Sequence, residues 1–329
     1  MKLNIIGPVN SLGYGITCVN IVKSLSKTCE IHLSPIGVRD GYQNDPAIYK
    51  ALNTPILAAP TLKIWHAHDL SINFGTRRIG FPIFELDRFT SQEQEEFNKV
   101  DDVFVCSEWA KTIVPKAKVV PLGVDREIFF ESGLPSKTIF MNVGKWEVRK
   151  GHDVLIDIFE KANVDAELWM CCNNPFNTPA EDNYWQGKYG KPNVRLFPRM
   201  KSQGMLANLM RQSSCGIFPA RAEGWNLDLL EFMSCGKEVI TTNFSAHTEF
   251  CSKDNARLVD ITETEPAVDN KWFNGQGNWA KLGKDQIDQF VQHIRDFHNN
   301  PTIGRGIETA KRFSWDNTAN EIIRILSSS

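Results

Sequence analysis

Two carboxylates eight positions apart, Glu223 and Glu231, bracket the segment EGWNLDLLE in this 329-residue chain. If the whole segment were helical, that spacing would give a rise of about 12 Å and a rotation of about 80°. Both carboxylates would then lie on roughly one side, too far apart to grip the same atom. Such a pair suits an elongated ligand, with one carboxylate at each end. Between them, the N–H groups near Asn226–Leu229 are free at a helix start and form an anion site. Carboxylate, helix N-terminus, carboxylate fits a sugar, a diphosphate and a ribose in that order. The plainer alternative is a helix with a solvated glutamate at either end.

A second group is cationic. Lys145, Arg149 and Lys150 lie between Gly144 and Gly151 in GKWEVRKG, just before a helical pattern from His152 to Ala162. Three cations at a helix N-terminus oppose its dipole, so an anion is expected there too. Two weaker groups lie earlier. Gly13-Tyr-Gly15 lets backbone come close to a ligand, or is simply a structural turn. His66-Ala-His68-Asp69 is open to three readings: a metal cluster, structural histidines or a substrate contact. The i, i+2 spacing puts both histidines on one face only in extended chain. Glu85 and Asp87 lie at the end of an apolar run, where they either meet a substrate or pair with Arg77, Arg78 or Arg88.

These residues need a frame. Leu227, Leu230 and Met233 recur at helical spacing, Leu229 and Phe232 widen the apolar face, and Gly236 is a stop. CGIFPA before this helix and EVITTN after it read as buried strands. The unit is strand–loop–helix–strand, with its loop at the carboxyl end of a strand, where open parallel sheets bind ligands. The same order of strand, glycine-containing loop and helix recurs at Leu3–Leu25 and at Thr138–Ala162. Further strands are expected at Glu30–Pro35, Leu62–Trp65, Ile79–Glu85, Val103–Ser107, Lys118–Leu122, Ala166–Cys172 and Val194–Pro198. The fold class is therefore α/β, as two Rossmann-like doubly wound domains. One spans 1–130 and the other 137–313, with a linker over Phe130–Lys137 carrying Gly133, Pro135 and Ser136. A last helix is expected over 314–329. The stretches 38–46 and 173–192 are polar, and 270–283 is rich in Trp, Gly and Asn.

Composition narrows the class. With 37 basic and 39 acidic residues the formal net charge is −2, so there is no global pull toward nucleic acid or membrane. The eight cysteines are scattered, five of them in or beside apolar runs, as expected of free thiols in a reducing cytoplasm. Cys171-Cys172 lacks metal-site spacing. No signal peptide and no bilayer-spanning run are expected.

The segment Glu223–Glu231 resembles the E-x7-E signature of retaining GT-B glycosyltransferases, in particular the large family 4 group. GKWEVRKG resembles that family's G-R…K-G loop, with Lys145 at the Arg position and Lys150 at the lysine. VCSEW followed by VVPLGVD and a Phe is similar to the pattern that closes the family's first domain. His66-x-His68 is similar to a strand end near the bound sugar, and Ser245-Ala-His247-Thr-Glu249 to a segment that caps the base or closes the cleft.

The resemblance implies a GT-B fold, two domains facing a cleft, with 1–130, joined by the terminal helix 314–329, as the acceptor domain and 137–313 as the nucleotide-sugar donor domain. It implies a glycosyltransferase moving a sugar from a nucleotide-diphosphate sugar to an acceptor hydroxyl, retaining, and using no metal or cofactor. Glu223, Lys150, Lys145 and His68 become the catalytic candidates, with Glu223 sugar-side. Gly13, Gly15, Gly144, Arg149, Gly224, Trp225, Asn226, Leu227 and Glu231 become donor-binding, with Glu231 on the ribose. Two departures are visible, Asn226 and Asp228, where the family often has glycine and proline. The acceptor is either a glycan or a hydroxymethylated base of duplex DNA, because the compact chain also looks like some bacteriophage glycosyltransferases. Arg77, Arg78, Lys111, Lys116 and Lys118 are the candidate phosphate contacts. The expected location is cytoplasmic, in the host cell if the chain is virus-encoded. A sugar-nucleotide epimerase and a non-catalytic nucleotide-sugar-binding module of the same fold are the alternatives.

Overall fold

Short apolar runs form parallel strands, and amphipathic segments between them form the crossover helices. The structure is a computed structural model that describes residues 1–42 and 44–328. Position 43, within the polar stretch 38–46, and position 329, at the end of the expected last helix, lie outside the described residues. The chain divides into two units, Met1–Gly123 with Arg312–Ser329, and Val124–Lys311.

In the first unit the strands are β1 (Lys2–Pro8), β2 (Glu30–Ile36), β3 (Thr61–Lys63), β4 (Arg78–Gly80), β5 (Asp102–Val105) and β6 (Lys118–Val119). They form one parallel sheet in the order β2-β1-β3-β4-β5-β6. Leu3 and Ile5 of β1 are fully buried against the helix Gly13–Leu25, whose Cys18, Ile21, Val22 and Leu25 are buried too. The strand expected over 79–85 ends at Gly80. Phe81 still donates its N–H to the Lys63 carbonyl, but Pro82 has no N–H to continue the ladder. The helix Trp315–Ser327 belongs to this unit. Lys27 pairs with Asp316 at 2.7 Å, and Thr318 Oγ1 donates to the Pro121 carbonyl at 2.7 Å. Gly123 is required at this junction, because a Cβ there would lie 2.2 Å from the Trp315 nitrogen.

In the second unit the strands are β7 (Ile139–Gly144), β8 (Glu167–Cys172), β9 (Val194–Leu196), β10 (Cys215–Phe218), β11 (Glu238–Asn243) and β12 (Arg257–Asp260). Their order is β12-β11-β10-β7-β8-β9, again all parallel. Numbered within the unit this is 3-2-1-4-5-6, the doubly wound order, and the direction of winding reverses between β7 and β10. Ligands of such sheets bind at the carboxyl ends of the two strands flanking that reversal. Here those ends lead into Gly144–Gly151 and into Pro219–Asn226. In the first unit the reversal lies between β1 and β3, whose ends lead into Gly13–Gly15 and His66–His68.

Two regions carry more structure than their composition announced. The polar stretch 173–192 contains the helix Pro179–Lys188, started by a capping box between Thr178 and Glu181. The stretch 270–283 supplies half of an antiparallel hairpin, β13 (Thr264–Val268) with β14 (Asn274–Ala280). At the hairpin's tip Asp269 Oδ1 accepts the N–H groups of Lys271, Trp272 and Phe273. No described helix is long and apolar enough to cross a membrane.

Candidate functional site

The helix Leu227–Ser234 is held from behind by burial. Leu229, Leu230, Phe232 and Met233 are fully buried, each contributing roughly 1.5–3 kcal/mol. Its start is unusual. Asn226 is the N-cap at φ +79°, a left-handed conformation rare outside glycine, and its Oδ1 accepts the Leu229 N–H at 3.2 Å. Its amide also donates to His247 Nε2 at 2.9 Å. His247 Nδ1 in turn faces the Thr242 carbonyl at 3.1 Å, so that nitrogen carries the proton. Burial pushes the His247 imidazole down to about 4, and it stays neutral. Ser245 is a second left-handed non-glycine, at φ +50°, and its Oγ accepts the Glu223 N–H at 2.9 Å. The Glu223 carbonyl accepts the Ala246 N–H. The segment Ser245–His247 thus fixes both the carboxylate and the helix cap.

Glu223 lies in the loop before the helix, buried, with its carboxylate between two cations. Arg149 Nη1 donates to Oε2 at 2.8 Å and Lys150 Nζ donates to Oε1 at 2.7 Å. Arg149 Nη1 also donates to the Ala222 carbonyl, and its Nη2 donates to Glu147 Oε2 at 2.8 Å. Lys145 pairs with Glu147 Oε1 at 2.6 Å. Burial alone would raise the Glu223 carboxyl, but Arg149 and Lys150 outweigh it and hold it well below the usual range. Glu147 is lowered the same way, by Arg149 and Lys145 against burial. For Lys150, burial favours the neutral form and Glu223 reverses it, so its pKa is raised.

This corrects one step of the sequence argument. The three cations need no outside anion to be tolerated, because Glu147 and Glu223 already face them. Three cations against two carboxylates still leave one positive charge in excess in this network. Glycines let the loops meet. A Cβ on Gly144 (φ +149°) would lie 2.7 Å from Lys150 Cδ, and one on Gly151 (φ +74°) would lie 1.9 Å from the Pro219 carbonyl oxygen. Beneath them, His152 accepts the Glu147 N–H and donates to Asn142 Oδ1, and burial lowers it to about 3. Arg221 forks onto Asp153 with bonds of 2.7 and 2.8 Å.

The expected residues fall into distinct groups. Gly144, Lys145, Arg149, Lys150, Glu223, Gly224, Trp225, Asn226 and Leu227 line the two loops that leave β7 and β10. Glu231 is one to two turns further along the helix, buried, and forms no ion pair among the described residues. Burial, Asp228 and Asp125 all raise its pKa well above the ordinary value. Asp228 at the helix start is half-buried, and burial and Glu223 raise it too, against Lys150.

Gly13, Gly15 and His68 belong to the first unit. Gly13 and Gly15 sit in the first turn of a helix rather than in a loop, and Gly15 is pressed against Asn10, 2.2 Å from a would-be Cβ to that residue's carbonyl oxygen. His66 and His68 stack at 5.6 Å, with His66 just before the short 3-10 turn Ala67–Asp69 and His68 within it, rather than both on extended chain. Tyr14 packs on His66 at 4.7 Å and exchanges hydrogen bonds with the Ile83 backbone. Among the described residues no group of three or more His, Cys, Asp or Glu is disposed to hold a metal. The five basic residues considered for phosphate contacts are all engaged. Arg77 and Lys118 hold Asp102, Arg78 holds Asp101, Lys111 faces Glu108 and Lys116 donates to the Phe97 carbonyl.

Glu147, Asn142 with His152, and Arg221 with Asp153 had no role in the sequence argument. For Glu147 the signal was present, as a lone acid among three cations.

Comparison with known proteins agrees with this fold. Residues 137–269 match the family model described as glycosyl transferases group 1. An uncharacterised glycosyltransferase of Methanocaldococcus jannaschii is 26% identical over 202 residues, which is 61% of this chain and 50% of that relative. The match thus spans half the length of the curated relative. Among solved structures, Anabaena HepE in complex with UDP and glucose superposes with a TM-score of 0.73 at 14% identity, covering 100% of both chains. Sucrose-phosphate synthase from Thermosynechococcus elongatus superposes with a TM-score of 0.71 at 14% identity, covering 100% of this chain and 98% of the other. The fold is that of these GT-B proteins, and within the second unit residues 137–269 are similar to the glycosyl transferases group 1 model.

Proposed function

We propose that this chain is a glycosyltransferase that moves a sugar from a UDP-sugar to an acceptor hydroxyl, with retention and without a metal. The observation that carries the reading is the network of Glu223, Arg149 and Lys150 at the switch point of a doubly wound sheet, beside the start of the helix Leu227–Ser234. HepE was solved with UDP and glucose, which supports the choice of donor. In this reading the diphosphate lies between Lys150, Lys145 and the helix start. Those cations and the first-turn N–H groups of Leu227 and Asp228 stabilise the charge that develops on the leaving diphosphate. Glu223 sets the position of Lys150 and faces the donor sugar. Burial, Asp228 and Asp125 raise the Glu231 carboxyl, and its protonated form would both donate to and accept from the ribose hydroxyls. The acceptor hydroxyl belongs to a glycan or to a hydroxymethylated base. Eight free thiols fit work in a reducing compartment such as the cytoplasm.

The test is thermal melting against UDP-, GDP-, ADP- and CMP-sugars. A ligand at about 100 times its dissociation constant stabilises by about 2.7 kcal/mol. For a unit of this size that is roughly 5–10 °C. The expected outcome is a shift with UDP-sugars alone, lost in a Lys150→Ala protein that still melts cooperatively. Conversion of the sugar nucleotide with no acceptor present would instead indicate an epimerase. No shift with any donor would overturn the reading.

A further inference from the structure

Two positions before Glu223, the same loop grips the backbone that carries the cations. The Gly151 N–H donates to the Val148 carbonyl at 2.9 Å, so Arg149 and Lys150 are the two central residues of one tight turn. Arg221 holds that turn at two points. Its Nη1 donates to the Val148 carbonyl at 2.6 Å, and its backbone N–H donates to the Arg149 carbonyl at 2.7 Å. The guanidinium is itself anchored by Asp153, in the first turn of the helix His152–Ala162, whose two oxygens accept from Nη1 and Nη2. The root of the β13–β14 hairpin closes over this fork. Trp279 is buried, with its ring 5.7 Å from the guanidinium carbon, and the Ala280 N–H donates to the Arg221 carbonyl at 2.9 Å. Glu265 Oε1 lies 3.5 Å from Arg221 Nε and accepts the Trp279 indole N–H. Arg221 is 7% exposed, so its reach toward a ligand is through the turn.

We propose that Arg221 is a positioning residue for the diphosphate of the donor, setting through the turn Val148–Gly151 where Arg149 and Lys150 stand. This rests on the transferase reading and adds to it a residue that acts without touching the donor. The work is divided within one loop. Arg221 holds the backbone of the turn, and Glu223 holds the side chains of its two central residues. A carboxylate that pulls on the ends of two long side chains leaves their bases free to shift, whereas a hold on the two carbonyls fixes where those side chains begin. The work requires a planar fork. Arginine serves the Val148 carbonyl and both Asp153 oxygens from one rigid group, which the point charge of a lysine does not reproduce. The hairpin keeps water from the fork, and its bonds are stronger for it.

The experiment measures the affinities of the full chain for UDP, uridine and inorganic pyrophosphate by calorimetry, with thermal melting of each variant. The ratio of UDP to uridine affinity isolates what the diphosphate contributes. Misplacing a binding group by about 1 Å costs up to about a hundredfold, so in Arg221→Met the ratio should fall by about tenfold or more. Uridine affinity should not change, a pattern that general loosening of the fold does not give. Arg221→Lys keeps the charge and loses the fork, and its ratio should stay low. Asp153→Asn leaves Arg221 in place but removes the charge that anchors it. Its ratio should fall by a smaller factor, and it decides the matter if Arg221→Met does not melt cooperatively. An unchanged ratio in Arg221→Met or, failing that variant, in Asp153→Asn would overturn the proposal. Equal losses for UDP and uridine would overturn it as well. Full recovery in Arg221→Lys would also overturn it, because charge alone would then suffice. Each of these leaves the transferase reading standing so long as wild type binds UDP. Wild-type preference for pyrophosphate over UDP, lost in Arg221→Met, would uphold the role of Arg221 and overturn the UDP reading. Binding of none of the three by wild type would overturn both.

Discussion

Replacing Glu223 by Gln tests whether the buried network is what holds the site together. The side chain is 6% exposed, and the two cations facing it, Arg149 and Lys150, are 5% and 11% exposed. Glutamine keeps the shape but brings one acceptor and one donor where two acceptors stood. One cation then faces an N–H₂ group, Lys150 loses its paired carboxylate, and Arg149 keeps only Glu147. Each charge-assisted bond contributes about 1.5–3 kcal/mol, and opening a buried pair from one side costs about 3–5 kcal/mol. The two routes agree, so the variant should lose about 3–5 kcal/mol. At roughly 2–4 °C per kcal/mol for a unit of this size, its melting temperature drops by roughly 6–20 °C. Urea unfolding with an unchanged slope is the assay. Glu223→Gln/Lys150→Met should recover part of the loss, since it removes both charges. UDP should stabilise Glu223→Gln more than wild type, because a diphosphate restores the missing anion. A loss below about 1 kcal/mol, or a double mutant that recovers nothing, would refute the reasoning.

Other perturbations read the same frame. The folded His247 is lowered to about 4 from 6.5, so the unfolded chain takes up its proton first as pH falls. Stability should therefore decline from pH 6.5 toward 4, by up to about 3 kcal/mol, and His247→Gln should flatten that slope in pH-resolved urea melts. Glu231 has the opposite sign. Its folded pKa is raised, so stability is full below the ordinary glutamate range and is lost as pH rises. Glu231→Gln should accordingly gain on wild type as pH rises above the ordinary glutamate range, and equal pH profiles would count against a raised Glu231. Gly151→Ala forces a Cβ to 1.9 Å from the Pro219 carbonyl oxygen at φ +74°, so the loop must move. It should cost about 1–3 kcal/mol or more and weaken UDP binding through Lys150, as calorimetry would show.

Much of this frame is legible in the chain. The helix Leu227–Ser234, with its strands on either side, follows from apolar spacing and from Gly236, because those signals are local. The end of β4 at Gly80 was legible too, since Pro82 forbids a ladder, yet the apolar run IGFPIFE masked it. The histidine pair shows a different limit. Whether His66 and His68 share a face depends on the backbone, and a 3-10 turn brings their rings together by a route that strand geometry does not describe. The hairpin tip at Asp269 was not legible. Its turn depends on one carboxylate accepting three N–H groups and on Lys271 reaching a helix some 90 positions earlier in the chain. The partners of Lys145, Arg149 and Lys150 show why charge patterns mislead. A cation cluster looks like an anion site until the fold delivers its own carboxylates, and Glu223 arrives from more than 70 positions away.

That delivery has a consequence for how the site would work. A buried lysine with no partner tends to lose its proton, and Lys150 would be of little use to a leaving diphosphate if it did. Glu223 raises its pKa and keeps it charged. Arg149, shared between Glu147 and Glu223, is fixed in orientation before any ligand arrives. Fixed charges need no rearrangement as new charge develops. The arrangement has a cost, because full neutralisation would leave nothing to attract an anion. It is avoided by number, since three cations face two carboxylates. Asp228 would add a third carboxylate at the helix start, but burial and Glu223 raise its pKa, which makes its neutral form easier to reach beside an incoming phosphate. A neutral Asp228 can donate a hydrogen bond where an ionised one would repel. The departure from proline at this position is then compatible with a diphosphate, and Asp228→Asn should preserve UDP binding. A severalfold loss of UDP affinity in Asp228→Asn would mean that the ionised carboxylate itself has a role in the site.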